Sequence, residues 1–121
     1  MANRAPLKPI CWMGSSLDDL RDCPDEVMDD VGYALELVQR GEKPENAKPL
    51  KGFRGASVLE IRTGFDGDTW RTVYTVAVAG SVYVLHVFQK KSKRGIATPK
   101  HEIDLVRRRL RDAMDHAKGL Q

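Results

Sequence analysis

Apolar residues recur at two different periods along this chain, and the change of period divides it. Val27, Val31, Ala34, Leu35 and Val38 follow one another at steps of three and four, the spacing that lines one face of an α-helix. Pro24 stands at the first position of that stretch, with Asp25 and Glu26 at its positive end. Gly41 stops it behind Arg40. The spacing predicts a helix over 24–40. Residues 41–55 are rich in Gly, Lys and Pro and read as a loop. Beyond them the period becomes two. Three runs, 56–63, 69–78 and 81–89, are rich in Val, Thr and Tyr, and the short gaps between them hold Gly64, Asp66, Gly67, Ala79 and Gly80. Such gaps mean hairpins, so the runs form an antiparallel meander. The last run, VYVLHVF, is apolar on both faces and should be a central or well-covered strand. Thr98 and Pro99 then open a final helix. Its buried stripe is Ile103, Val106, Leu110, Ala113, Met114 and Ala117, and Arg107, Arg108, Arg109 and Arg111 lie opposite. Near the start, residues 7–13 are apolar but broken by Pro9, which suits an edge strand. Ser15 or Ser16 caps a short helical turn after it. The expected fold is one α+β domain over 1–121: a small antiparallel sheet, made of a three-strand C-terminal meander and an N-terminal edge strand, packed by helices.

At 121 residues the chain is long enough for one core and too short for two. No apolar run approaches the roughly 18 residues of a membrane span, and the N-terminus has no apolar core of a signal peptide. Two cysteines cannot build a secreted disulfide scaffold. A cytoplasmic protein without membrane contact is expected. Its His and Cys residues lack zinc-ligand spacing, so no metal or other cofactor is expected. The net charge of +3 hides an asymmetry: residues 1–30 carry three Lys/Arg against seven Asp/Glu, and residues 89–121 carry ten against four. A basic C-terminal third suggests an anionic partner, nucleic acid first. The plainer alternative is a solvated, salt-bridged helix.

Several segments together resemble the RelE/HigB superfamily of bacterial toxins, in its phage-derived branch. They are WMGSSLDDLRDCP, LVQRGEKPENAKPLKGF, VLEIR, WRTVY, VYVLHVFQKKS and TPKHEIDLVRRR, running from about Trp12 to Ala113. The resemblance implies a RelE-like fold and a ribosome-dependent mRNA endonuclease that inhibits translation. It also implies inactivation by a cognate helix-turn-helix antitoxin encoded alongside.

Metal-free RNA cleavage needs a base at the 2′-hydroxyl, an acid at the departing 5′-oxygen and cations around the phosphate. Strand alternation puts Glu60 and Arg62 on one face of the first run, Arg71 and Val73 on one face of the second, and His86, Phe88 and Lys90 on one face of the third. Leu85 and Val87 fall behind. Arg62 and Arg71 occupy positions where similar toxins tend to carry basic residues, and they are candidates for phosphate binding. His86 and Lys90 are the candidate acid–base groups. Each has a plainer reading: Arg62 paired with Glu60, His86 a core histidine, Lys90 a solubilising strand end. Lys91, Lys93, Arg94, Arg108 and Arg111 are candidate RNA contacts. On the last helix, Asp104–Arg108, Arg108–Asp112 and Arg111–Asp115 offer salt bridges instead. The competing functions are a non-catalytic basic RNA- or ribosome-binding protein, a degenerate toxin among them, and a phage-derived structural accessory.

Overall fold

The computed structural model describes residues 6–54, 57–90 and 98–119. The chain runs β1 (Ile10–Trp12), α1 (Ser16–Arg21), α2 (Asp25–Gln39), β2 (Ala47–Pro49), β3 (Leu59–Phe65), β4 (Asp68–Val78), β5 (Ser81–Lys90) and α3 (Lys100–Gly119). The class is α+β, and the strands form one five-stranded sheet in the order β1-β5-β4-β3-β2.

The meander is present, yet the sheet is larger than expected and mixed. β1 lies at the edge but pairs parallel to β5, with Cys11 opposite Tyr83. β2 arises inside the segment read as a loop and pairs antiparallel to β3, Lys48 opposite Glu60. Three residues are too few to show a period, and only the neighbouring strand makes them extended. Pro49 is tolerated because β2 is the other edge of the sheet. Both hairpin turns place two residues at positive φ, Asp66–Gly67 and Ala79–Gly80. That geometry matches the twist of the flanking strands.

Each face of the sheet has its own core. Val27, Val31, Ala34, Leu35 and Val38 of α2 pack with Ile61, Tyr74, Val82 and Val84. Val106, Ala113 and Ala117 of α3 pack with Val58, Val73, Tyr83 and Leu85 on the other face. β5 is therefore covered on both sides, and Val82, Tyr83, Val84 and Leu85 are fully buried.

Several local expectations are corrected. α2 begins at Asp25, with Pro24 at its cap in an extended conformation. Neither serine caps α1 through its side chain: Ser15 Oγ donates to Asp19, and Ser16 Oγ is buried and donates to the Val84 carbonyl. Met114 is 49% exposed rather than part of the α3 stripe, which buries the small residues Ala113 and Ala117 instead. The β4–β5 register shifts between Val73 and Tyr74, which pair with His86 and Val84 and leave Leu85 as the extra residue of a bulge. Leu85 thereby joins the α3-side core instead of lying behind His86.

Candidate active site

Cross-strand register assembles the site on the α3 side of the sheet. Arg62 of β3 lies opposite Arg71 of β4, and Arg71 lies opposite Phe88 of β5. Glu60, Val73 and His86 form the adjacent row, and Thr69 and Lys90 pair one step further on. All four candidate catalytic residues, Arg62, Arg71, His86 and Lys90, thus share one face, with Glu60 among them.

Glu60 organises the cations. Its side chain is 2% exposed, and its Oε1 accepts from Arg71 Nη1 at 2.7 Å. The same oxygen accepts from Arg62 Nε at 3.0 Å. The ion-pair reading of Arg62 is therefore realised, although the Arg62 side chain stays 44% exposed. Arg71 and Lys90 are both buried. Burial pushes the Lys90 amine below its ordinary range, the Arg71 and Arg62 charges push it further, and Glu60 opposes them. Three cations thus surround one carboxylate. Lys90 Nζ, Arg71 Nε and Glu60 Oε2 are buried with no hydrogen-bond partner among the described residues. A buried polar group left unpaired costs about 1–3 kcal/mol. A concentration of such groups on one face is characteristic of a functional site.

His86 is held one row away. Its Nε2 lies 2.9 Å from Glu102 Oε1 in the first turn of α3, and its ring stacks on Phe88 at 4.7 Å between centroids and 19° between planes. His101 is exposed, with its Nε2 3.8 Å from the same Glu102 oxygen. Beside Glu60 and Arg62 opens a cleft of about 130 Å³, walled by Pro49, Leu50, Thr98 and Ile103.

The α3 arginines divide into two kinds. Arg107 Nη2 donates to the Gly52 carbonyl at 2.6 Å, and its guanidinium covers the Phe53 ring. Arg109 donates to the Leu85 carbonyl at 3.0 Å and to Ser15 Oγ at 3.2 Å. Both are committed to the fold. Asp104 pairs with Lys100 at 2.8 Å rather than with Arg108. Among the described residues, neither Arg108–Asp112 nor Arg111–Asp115 forms an ion pair, and Arg108 and Arg111 are exposed. Lys91, Lys93 and Arg94 lie outside the described residues.

Glu60 and Glu102 are the site residues that sequence reasoning undervalued. A lone carboxylate between apolar Leu59 and Ile61 was the signal for Glu60. Glu102 lies in the first turn of α3, and no spacing along the chain ties it to His86 of β5.

The family model described as Phage derived protein Gp49-like (DUF891) matches residues 18–111, most of the chain, including every residue of this face. No curated protein matches the chain.

Proposed function

The chain belongs to the Gp49-like family of phage-derived proteins, and from that premise we propose that it is the toxin of a type II toxin–antitoxin pair. In this reading it is a RelE/HigB-type endoribonuclease that cuts mRNA on the ribosome without a metal and is neutralised by a helix-turn-helix antitoxin. The observation that carries the reading is the surplus of positive charge on this face: buried Arg71 and Lys90 and half-exposed Arg62 around the single carboxylate of Glu60. A phosphodiester entering this face supplies the missing anion.

The reaction is an internal transesterification. The 2′-oxygen forms a bond to phosphorus and the bond from phosphorus to the 5′-oxygen breaks, giving a 2′,3′-cyclic phosphate and a free 5′-hydroxyl. One proton leaves the 2′-hydroxyl for a base and one reaches the 5′-oxygen from an acid, so nothing else is consumed. Arg71 and Arg62 hold the non-bridging oxygens, where charge grows toward the transition state. His86 takes the 2′-proton, and the Lys90 ammonium delivers one to the leaving oxygen. A depressed lysine pKa makes that transfer easier.

The test is induced expression with and without the adjacent reading frame, followed by mapping of mRNA 5′ ends. Growth arrest with new 5′-hydroxyl ends inside coding regions is expected, and cleavage by purified protein on ribosomes should persist when free divalent metal is held at the level ribosomes need and no other metal is added. Unchanged protein synthesis with soluble, folded product overturns the toxin reading.

A second reading draws on burial. Arg71, His86 and Lys90 are each at most 7% exposed, and only Arg62 stands half open, which suits a basic protein that blocks ribosomes without cutting. Arrested translation with intact mRNA is the outcome specific to it.

A further inference from the structure

We propose that Glu102 is a positioning residue that fixes the His86 imidazole as the Nε2–H tautomer and so makes Nδ1 the proton-accepting atom of the site; the inference rests on the endoribonuclease reading of this face. Three observations carry it. First, Glu102 Oε1 lies 2.9 Å from His86 Nε2. An ionised carboxylate can only accept a hydrogen bond, so Nε2 must hold the hydrogen. Second, Phe88 stacks on the ring at 4.7 Å and 19°. The imidazole is thus contacted on its face by Phe88 and at Nε2 by the carboxylate. Third, His86 Nδ1 is buried and has no hydrogen-bond partner among the described residues. In the Nε2–H tautomer it is a bare lone pair, the form a general base requires.

The two partners come from elements that meet only in the folded chain. His86 follows the β5 bulge, and Glu102 sits in the first turn of α3. The ring is faced by Glu102 from α3 and by Phe88 on its own strand. Lys90, Arg71, Arg62 and Glu60 lie on the same sheet face, and His101 approaches Glu102 from the solvent side. Of these, only Glu102 bonds the ring. When Nδ1 takes the 2′-proton, the 2′-oxygen–phosphorus bond forms and the Glu102 carboxylate faces the positive charge that arises on the ring. The carboxylate does not itself take the proton.

A simple tether would also explain the contact, since the same bond ties the start of α3 to the sheet. The two roles differ in what they require of the proton. A tether works with either tautomer, for instance with a protonated Glu102 donating to Nε2. Catalytic positioning works only with Nε2–H.

The experiment is nitrogen-15 NMR of the imidazole in the full-length protein, combined with single-turnover cleavage on saturating ribosomes for the parent and for Glu102→Gln. The amide keeps the size of the side chain but can donate as readily as accept, so it no longer dictates the tautomer. The parent should show a protonated Nε2 and a bare Nδ1. Glu102→Gln should lose that preference and cleave at least about tenfold more slowly, with ribosome affinity unchanged. A parent ring protonated at Nδ1 overturns the proposal without any variant, and so does Glu102→Gln cleaving at the parent rate. A parent that holds the Nε2–H tautomer yet never cleaves overturns the endoribonuclease reading itself and reduces Glu102 to a tether.

Discussion

Arg71 is bound to two demands that a single substitution mixes. It faces the proposed phosphate, and it neutralises Glu60, whose side chain is 2% exposed. Breaking a buried pair by removing one partner costs about 3–5 kcal/mol, so Arg71→Ala should lose stability as well as rate. Arg71→Lys keeps a charge near Glu60 but loses the two-point grip on phosphate. It should stay folded and cleave about 10²-fold more slowly once bound, as measured by single turnover. Lys90 points the other way. Its ammonium is buried and has no partner among the described residues, so Lys90→Met should stabilise the chain by about 1–3 kcal/mol in urea unfolding while abolishing cleavage. The pH dependence has a definite sign. Because the folded chain holds this amine below its ordinary 10.5, the unfolded chain binds more protons in the interval beneath 10.5. Stability contributed by this group rises with pH through that interval, and Lys90→Met should flatten the rise. Alternation along single strands put Glu60 with Arg62 and His86 with Lys90, and left their convergence with Arg71 on one face open until the register was known. The central place of Glu60 was not legible, because it depends on which residue of β4 stands opposite, and register is a property of the assembled pair.

Among the elements, α3 shows how a run of like residues separates by task. Arg109 joins three parts of the fold, the β5 bulge, the start of α1 and α3 itself. Arg109→Ala should therefore lower stability by about 1–3 kcal/mol in thermal or urea unfolding. Gly14→Ala should act through the same contact, since a Cβ there would stand 2.5 Å from Arg109 Nε at a φ of +55°. Arg108→Ala with Arg111→Ala should change stability by no more than about 0.5 kcal/mol. That pair should instead weaken ribosome association and shallow its salt dependence, read from binding at two salt concentrations. The elements with a long period were legible from the chain. Five residues of α2 buried as one stripe were read from spacing, as were the hairpins from their glycine-bearing gaps. β2 and the bulge at Leu85 were not, because neither has a period. β2 is extended only because β3 lies beside it, and the bulge exists because β4 and β5 differ in count. The Arg108–Asp112 pairing failed for a related reason: helical spacing permits an ion pair but does not outbid water for exposed side chains.

The whole molecule separates its charge by layer. Asp18 of α1, Asp22 just after it, and Asp25, Glu26, Asp29 and Asp30 of α2 are exposed, and these helices cover one face of the sheet. The cationic cluster and the exposed α3 arginines belong to the other. A polyanion therefore meets repulsion on one side and attraction on the other, which orients the approach before contact. The association rate with ribosomes should fall steeply as ionic strength rises, while single-turnover cleavage on ribosomes already bound should not; stopped-flow binding at several salt concentrations measures the first.

The parallel pairing of β1 with β5 has a consequence for how the chain is made. Ser16 Oγ reaches the Val84 carbonyl across 68 residues, and Ser15 reaches Arg109 across 94. Contacts of such sequence separation form slowly, because the loop between them must be closed before they contribute. On a translating ribosome the first strand has no partner until β5 has emerged, and His86 has no Glu102 until α3 follows. The first strand and the last helix thus act as a delay. A nascent chain carries Arg62 and Arg71 well before it carries an assembled face, and that face is complete only once α3 has emerged.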